Sequence, residues 1–277
     1  MFVDVHAHLI HEAFVGDEDA AAQRALAAGV DRVIVNGLEP RSNRAVLALC
    51  ARHANLLPAL GIYPVDAIAH QIHRDLAGSR SAAFANPWPH SWGPPAPFDP
   101  DEEIAFIASE AQKGSLVAIG ECGLDAHWDT AHLPEQERVL RRLIEVALAH
   151  DKPLILHTRK AEERTFAILT EMGVTRADFH CFGGKLKLAQ RIAEAGYYLS
   201  IPPVVARNEA FQRMTAQLPL DQILTETDCP YMGPVAAARN EPAFVPPAVT
   251  VMAALRGLTP EAMASAIRAN FERLFRC

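Results

Sequence analysis

The sequence predicts an α/β protein in which eight parallel strands, with helices between them, close into a barrel. Short apolar runs alternate with amphipathic stretches along almost the whole chain, a pattern typical of buried parallel strands joined by helices. Several of these runs end in a histidine or a carboxylate, as strands do at the active-site end of such barrels. The length of 277 residues suits one barrel, which typically needs about 250 residues.

Each predicted strand is a short apolar run, and the first one begins directly after Met1. Eight runs with helices between them favour a closed barrel over an open doubly wound sheet. No Gly-x-Gly-x-x-Gly pattern follows any of them, which also argues against a dinucleotide-binding fold. The predicted strands cover 2–6, 31–36, 56–60, 116–120, 153–157, 176–180, 196–200 and 222–227.

The amphipathic stretches between the strands are predicted to be helices, and some carry the expected terminal residues. Gly29 follows the first stretch, where a glycine commonly ends a helix. Thr259 precedes Pro260, which fits an N-cap residue with proline in the first helical position. The predicted helices cover 17–28, 41–53, 101–113, 133–150, 160–172, 184–195 and 208–217, followed by two near 247–256 and 259–275.

One segment interrupts this alternation. Residues 78–100 are rich in proline, serine, alanine and aromatic residues, and proline at this density excludes helix and central strand. Because the segment follows the third strand, Trp88, Trp92 and Phe98 could line the substrate path. Alternatively, the segment is a surface excursion packed by its own aromatic side chains. We expect a single domain over residues 1–277 with this loop as an insertion.

Composition narrows the classes of function. Half of the residues are hydrophobic and the formal net charge is −7, which argues against a basic protein that coats nucleic acid. A nucleic-acid enzyme stays compatible, because bound divalent ions and a few local cations can hold phosphate. The five cysteines lack framework spacing and are predicted to be reduced, buried packing residues. Without a signal-peptide pattern or an apolar run of about 18 residues, we expect a cytoplasmic protein with no membrane contact.

Six residues able to bind metal lie at the ends of predicted strands. His6 and His8 are two residues apart, which puts both side chains on one face of a strand. Taken singly, a histidine of this kind is more often a hydrogen-bonded core residue than a ligand. Six coincidences at one end of a barrel are far less expected, so the set predicts a metal site at the barrel mouth. Its members are His6, His8, Glu121, His157, His180 and Asp228.

Glu121 lies on a strand midway around the predicted barrel, so its two carboxylate oxygens could bridge two ions. Two ions about 3.5–4 Å apart would clamp the attacking and leaving oxygens of a displacement reaction. Imidazole and carboxylate ligands suit several divalent metals. We expect two divalent ions, with Mg, Mn and Zn as the candidates.

Eight short motifs, spread nearly from end to end, together resemble the TatD family of metal-dependent deoxyribonucleases, within the amidohydrolase-like barrels. Any one of them alone would be a weak match. The resemblance implies an eight-stranded α/β barrel of the TIM type, in agreement with the pattern above. The motifs are Phe2-Val-Asp-Val-His-Ala-His-Leu, Gly29-Val-Asp-Arg-Val-Ile-Val, Gly120-Glu-Cys-Gly-Leu-Asp, Pro153-Leu-Ile-Leu-His-Thr-Arg, His180-Cys-Phe-Gly-Gly, Glu226-Thr-Asp-Cys-Pro-Tyr, Arg239-Asn-Glu-Pro and Asn270-Phe-Glu-Arg-Leu-Phe.

The resemblance implies a reaction and a role for each candidate ligand. The expected activity is removal of nucleotides from single-stranded DNA in the 3′ to 5′ direction. Asp228 and Glu121 would be the catalytic residues, with Asp228 taking the proton of the attacking water, since a neighbouring dication keeps its carboxylate ionised. One ion would be held by His6, His8 and Asp228, the other by His157 and His180, and Glu121 would bridge them.

Four further residues are candidates for substrate contact. Arg159 could bind phosphate oxygens bidentately or cap the following helix. Tyr231 could stack on a base or hydrogen bond a phosphate. Lys185, at the start of a helix, could steer phosphate or simply be solvated. Tyr63 lies in Gly61-Ile-Tyr-Pro-Val, where many family members carry Gly-x-His-Pro-His. This difference and the long 78–100 segment fall at the same corner of the site, so both affect which substrate is expected.

Two other functions are compatible with the sequence. Water activated by metal attacks a carbonyl as readily as a phosphorus, so an ester, lactone or amide hydrolase, such as an aminoacyl-tRNA deacylase, is the alternative. A non-catalytic partner protein in a nucleic-acid processing system is a third possibility, against which the presence of all six candidate ligands argues. Protein partners are possible in either case, since a partner could supply the basic surface that this chain lacks.

Overall fold

The computed structural model describes residues 1–78 and 96–277. Within them, eight strands form one sheet, paired in sequence order and parallel throughout. This is the topology of an α/β barrel of the TIM type, and it confirms the predicted fold class. The strands are β1 (Phe2–Ala7), β2 (Val30–Asn36), β3 (Leu56–Leu60), β4 (Ala118–Gly123), β5 (Leu154–His157), β6 (Ala177–Phe179), β7 (Tyr198–Ile201) and β8 (Ile223–Thr225).

Helices follow the strands, and their apolar faces pack onto the barrel in one continuous core. Thr259 accepts a hydrogen bond from the backbone N–H of Ala262 at 3.2 Å and caps the last helix as predicted. The helices are α1 (Glu18–Ala27), α2 (Pro40–Cys50), α3 (Pro64–Ala67), α4 (Ala69–Gly78), α5 (Pro100–Gln112), α6 (Leu133–Ala149), α7 (Glu162–Glu171), α8 (Leu186–Glu194), α9 (Glu209–Gln217), α10 (Val245–Arg256) and α11 (Pro260–Phe275).

The barrel closes between its first and last strands through individual hydrogen bonds. The hydroxyl of Thr225 donates to the backbone carbonyl of Val3 at 2.7 Å. The backbone N–H of Asp228 donates to the carbonyl of His6 at 2.8 Å. In the part of the chain that the structure describes, this seam between β1 and β8 lacks the regular ladder of the other strand pairs. Its closure therefore depends on the last residue of β8 and on the residues that follow it.

Every predicted strand and helix is present with its ends shifted by a few residues, but α3 and α4 were not predicted. Pro64 occupies the first turn of α3, a position that tolerates proline. Val65, Ile68 and Ile72 recur at helical spacing and are buried together with Tyr63. The periodicity was present in the sequence, beside a proline-rich segment that favours a loop.

Part of the predicted 78–100 insertion lies outside the described residues, including Trp88 and Trp92. Phe98 is half-buried and packs against the barrel core. All five cysteines are free, as predicted, but only Cys122 and Cys229 are buried as expected. Cys50 and Cys181 are half-buried, and Cys277 is exposed. No helix within residues 1–78 and 96–277 has the length and apolarity needed to span a membrane.

Candidate metal centre

The barrel brings all six predicted ligands together at the carboxyl ends of the strands. They come from five strands or the residues directly after them, and β4 runs further than predicted, so that Glu121 lies inside it. Among the described residues, three groups have ligand atoms within 4.8 Å of one another; one is His6, His180 and Glu226, and the other two contain predicted ligands alone. Of these two, one is His6, His8 and Asp228, and the other is Glu121, His157 and His180.

Glu121 connects these two groups through its carboxylate. Its Oε2 atom is 3.3 Å from the Nε2 atoms of both His6 and His8. Its Oε1 atom is 3.0 Å from Nδ1 of His157 and 3.0 Å from Nε2 of His180. Each carboxylate oxygen therefore faces one pair of imidazoles, which is the arrangement that a carboxylate shared between two ions requires.

The donor atoms fit divalent metal. Imidazole nitrogens and carboxylate oxygens suit Zn, Mn and related ions, and the Nε2 atoms of His6 and His8 converge to 3.0 Å of each other. The Glu121 side chain is 4% exposed. Burial by itself raises the pKa of Glu121, but the nearby imidazoles of His180 and His6 outweigh it and hold the pKa well below its usual range. The carboxylate is thus ionised, as a ligand must be.

Asp228 reaches the site from an unusual backbone conformation. Its φ angle is 50°, in the left-handed region that non-glycine residues adopt at a cost. The segment is held in place by Asn240, whose side-chain amide donates to the carbonyls of Thr227 and Tyr231, both at 2.7 Å. Asn240 belongs to the Arg239-Asn-Glu-Pro motif, while the adjacent Glu241 pairs with Arg24 of α1 at 2.6 Å.

The Asp228 carboxylate lies beside the histidines of β1 and is more open than Glu121. Its Oδ1 atom is 3.6 Å from Nε2 of His8 and 3.8 Å from Nε2 of His6. Its side chain is 17% exposed. Burial raises its pKa to about 6, and the charges of His180 and His8 act in the opposite direction.

His157 is oriented by a buried carboxylate that the sequence had not singled out. Oδ2 of Asp125 is 2.8 Å from Nε2 of His157, which leaves Nδ1 pointing at Glu121. The hydroxyl of Tyr63 donates to the same Asp125 oxygen at 3.0 Å. Carboxylates that hold the far side of a ligating imidazole fix its tautomer and orientation. Asp125 ends the Gly120-Glu-Cys-Gly-Leu-Asp motif, which was the available signal.

A layer of buried carboxyl groups lies beneath the ligands. Glu226 Oε2 is 3.5 Å from Nδ1 of His180, and Ser200 Oγ is 2.9 Å from Glu226 and 2.8 Å from Asp178. Burial raises the pKa of Asp178 to about 7 and that of Asp4 to about 8. Asp4, Asp178 and Glu226 each precede a candidate ligand by two residues, the spacing that places side chains on one face of a strand.

The candidates for substrate contact differ in their surroundings. Arg159 is exposed, and its guanidinium carbon lies 5.6 Å from the ring centre of Trp128, a residue that was not predicted. Tyr231 is 44% exposed, with its hydroxyl 2.9 Å from Nε2 of His11. Lys185 is exposed directly before α8. Tyr63 is only 4% exposed, and its hydroxyl is engaged with Asp125, so contact with substrate would require that hydrogen bond to be given up.

Known proteins resemble this chain over its whole length. A metal-dependent hydrolase of Bacillus subtilis, YabD, is 31% identical, with 100% of this chain and 99% of YabD covered. The 3′-5′ ssDNA/RNA exonuclease TatD of Salmonella typhimurium is 28% identical, with 98% of each chain covered. The crystal structure of YJJV, a TatD homologue of Escherichia coli, superposes with a TM-score of 0.81 at 27% identity and covers 100% of this chain and 98% of its own.

The ordered motifs, the parallel barrel and the two donor groups agree with the comparison to protein families. The model of the family described as TatD related DNase matches residues 3–276. This chain therefore belongs to the family of TatD related DNases.

Proposed function

We propose that this protein is a phosphodiesterase that uses two divalent ions to remove nucleotides from the 3′ end of single-stranded DNA. The observation that carries the proposal is the Glu121 carboxylate, which turns one oxygen to each pair of histidines. A carboxylate shared in this way would help to hold two ions, which together stabilise the attacking and leaving oxygens of an in-line phosphoryl displacement. Membership of the family supports a nucleic-acid substrate, and the name of the Salmonella relative supports the polarity.

Each ligand has a place in this proposal. Mg, Mn or Zn ions supply Lewis-acid chemistry, since they polarise phosphoryl oxygens and lower the pKa of water. Asp228 takes the proton of the attacking water, because it is the more accessible of the two carboxylates. The DNA strand is contacted by three residues at the mouth of the barrel, Arg159, Lys185 and Tyr231. One ion would be held by His6, His8 and Asp228, the other by His157 and His180, and Glu121 would contribute to both.

We infer that residues 1–277 form one hydrolase barrel with the 78–100 segment as an insertion after β3. The net charge of −7 is compatible with a DNA substrate if the affinity for phosphate is concentrated at the ions and at a few exposed cations. A nonspecific basic surface is then not needed.

The test is digestion of single-stranded DNA labelled at its 5′ end. Metal-stripped protein is resupplied with Mg²⁺, Mn²⁺ or Zn²⁺ and compared with Glu121→Ala and with Glu209→Ala, whose carboxylate is exposed on α9. We expect a ladder that shortens from the 3′ end with the wild type and the Glu209 variant, and none with Glu121→Ala. Intact DNA under every ion, from protein shown to bind two ions, would overturn the nuclease proposal in favour of ester or amide hydrolysis.

A further inference from the structure

An exposed tryptophan stands beside the His157 side of the metal centre. Trp128 follows β4 and is 37% exposed. A single exposed apolar side chain needs no functional explanation, and Leu148 and Leu255 are comparably exposed. Trp128 differs from these two residues in how it is tied to the site and in what lies next to it.

The backbone of Trp128 is fixed to a candidate metal ligand through one carboxylate. Oδ1 of Asp125 accepts hydrogen bonds from the backbone N–H groups of His127 at 2.8 Å and of Trp128 at 3.0 Å. Oδ2 of the same carboxylate is 2.8 Å from Nε2 of His157. The backbone that carries the indole is therefore held at a defined position relative to His157, as the backbone of a substrate-positioning residue has to be.

The neighbour of Trp128 is a cation without a carboxylate partner among the described residues. The guanidinium of Arg159 lies 5.6 Å from the indole centre, and its backbone carbonyl accepts from Ala126 at 3.0 Å, which joins the two loops. By contrast, the exposed guanidinium of Arg164 in α7 pairs with Glu137 at 2.6 Å. Arg159 therefore keeps its fork of donors available for an anion.

We propose that Trp128 and Arg159 form a nucleotide subsite next to the scissile phosphodiester. The indole stacks on a base, and the guanidinium binds the phosphate attached to that nucleotide. An aromatic face beside a cation is the combination by which proteins hold single-stranded nucleic acid without regard to sequence. This inference rests on the proposed nuclease function and adds to it the two side chains that would hold the nucleotide next to the cleaved bond.

The test compares two phosphodiesters, an oligothymidylate of ten nucleotides and methyl p-nitrophenyl phosphate, which has no base. We expect Trp128→Ala to lower the ratio of the two kcat/KM values about tenfold, mainly through KM of the oligonucleotide, and Trp128→Phe to restore most of it. Leu148→Ala removes a comparably exposed apolar side chain near the end of α6 and should keep the wild-type ratio. Arg159→Gln should lower the same ratio and weaken the salt dependence of KM.

A binding measurement separates this inference from the proposed function. In metal-free protein, the oligothymidylate should quench tryptophan fluorescence in the wild type and in Leu148→Ala but much less in Trp128→Phe. An unchanged kcat/KM ratio in Trp128→Ala, together with undiminished quenching in Trp128→Phe, would overturn the subsite and leave the nuclease proposal standing. If the wild type cleaves neither diester, the nuclease proposal fails, and the quenching alone decides whether the subsite exists.

Discussion

At the scale of single residues, the two carboxylates of the centre differ in their surroundings and their exposure, and this difference suits them to different roles. Glu121 is enclosed by four imidazoles, which keep its pKa well below the usual range despite burial. Asp228 is more exposed and its pKa is raised to about 6, first of all by burial. A carboxylate that is open to water suits proton transfer, whereas an enclosed carboxylate with a pair of imidazoles at each oxygen suits bridging.

The first prediction concerns Asp228→Asn. The amide oxygen can still ligate, but the side chain no longer accepts the proton of the attacking water, so we expect kcat to fall by about 10²–10⁴-fold. Binding of two ions should persist. The check is turnover of labelled single-stranded DNA together with the metal content of the dialysed protein, and full turnover with both ions present would show that Asp228 is not the base.

The second prediction concerns Asp125, which orients His157. The Asp125 carboxylate accepts at both oxygens, from the backbone N–H of Trp128 and from the His157 ring. In Asp125→Asn one of these oxygens is replaced by an NH2 group, which is itself a donor. We expect the affinity for divalent ions to fall about 10–100-fold, measured by calorimetric titration with Zn²⁺. Asp129→Asn is the matched control, because Asp129 caps the backbone N–H of His132 at 2.7 Å without touching a candidate ligand. Equal affinities in the two variants would contradict the role of Asp125.

At the scale of elements, the close approach of β3 and β4 determines where Glu121 sits. A Cβ atom added to Gly61 would lie 2.3 Å from the carbonyl oxygen of Glu121, so the residue after β3 has to be glycine for β4 to keep its place. On its other side, Gly61 is bound by Asn43, whose amide donates to the Gly61 carbonyl at 2.9 Å. The bridging position is thus set by packing of backbone against backbone.

The third prediction follows from that contact. Gly61→Ala must push β4 away at Glu121, so we expect a loss of about 1–3 kcal/mol in the free energy of unfolding together with loss of ion binding. Gly183→Ala is the control, since a Cβ atom there meets nothing within 4 Å. Chemical denaturation and metal analysis of both variants provide the measurement, and retention of two ions by Gly61→Ala would refute the packing explanation.

The elements that the sequence predicts well are those whose burial is simple. The strands are apolar on both faces and the outer helices on one, so their periodicity indicates both type and position. The helices α3 and α4 were missed because prolines on either side favour a loop, although Val65, Ile68 and Ile72 recur at helical spacing. The end of β4 was misplaced because glycine and glutamate are weak strand formers in isolation and are accommodated here by tertiary contact.

At the scale of the whole molecule, an ion-pair network joins the start of α1 to the loop that follows β8. Asp17 pairs with Arg24 at 2.8 Å and with Arg239 at 2.6 Å, and Arg24 also pairs with Glu241 at 2.6 Å. The hydrogen bonds from Arg24 and Arg239 hold the pKa of Asp17 well below its usual range. The network thus links residues near opposite ends of the chain around the loop that carries Asp228.

The fourth prediction is the pH dependence of this network. Because the pKa of Asp17 is lower in the folded state, its contribution is present above the unfolded pKa of about 3.9 and is lost as the pH falls towards the folded value. At pH 7 we expect Asp17→Asn to melt a few degrees below the wild type, and this difference should shrink below about pH 4. A difference that stays constant from pH 7 to pH 3 would mean that the carboxylate charge is not involved.

The sequence predicts the part of the site that lies at the ends of the strands. Six candidate ligands scattered along the chain converge because the carboxyl ends of parallel strands in a barrel meet at one mouth. The layer beneath them was not predicted, since Asp4, Asp178 and Glu226 stand inside apolar runs, where each polar residue alone looks like an exception to the pattern. These three residues have in common that each precedes a candidate ligand by two residues. That spacing can be interpreted only when the positions of the strands are known.

The seam between β1 and β8 connects the catalytic centre to the integrity of the fold. His6 and His8 belong to the first strand, while Asp228 follows the last, and the backbone of Asp228 is already bonded to that of His6. An ion held by these three side chains would connect the first and last strands across the seam. Ion binding and closure of the barrel would then be thermodynamically linked. Removal of the ion by a chelator should then separate β1 from β8 before it disturbs the strands on the opposite side of the barrel. Loss of the ion would therefore stop catalysis and also make this seam the place where unfolding begins.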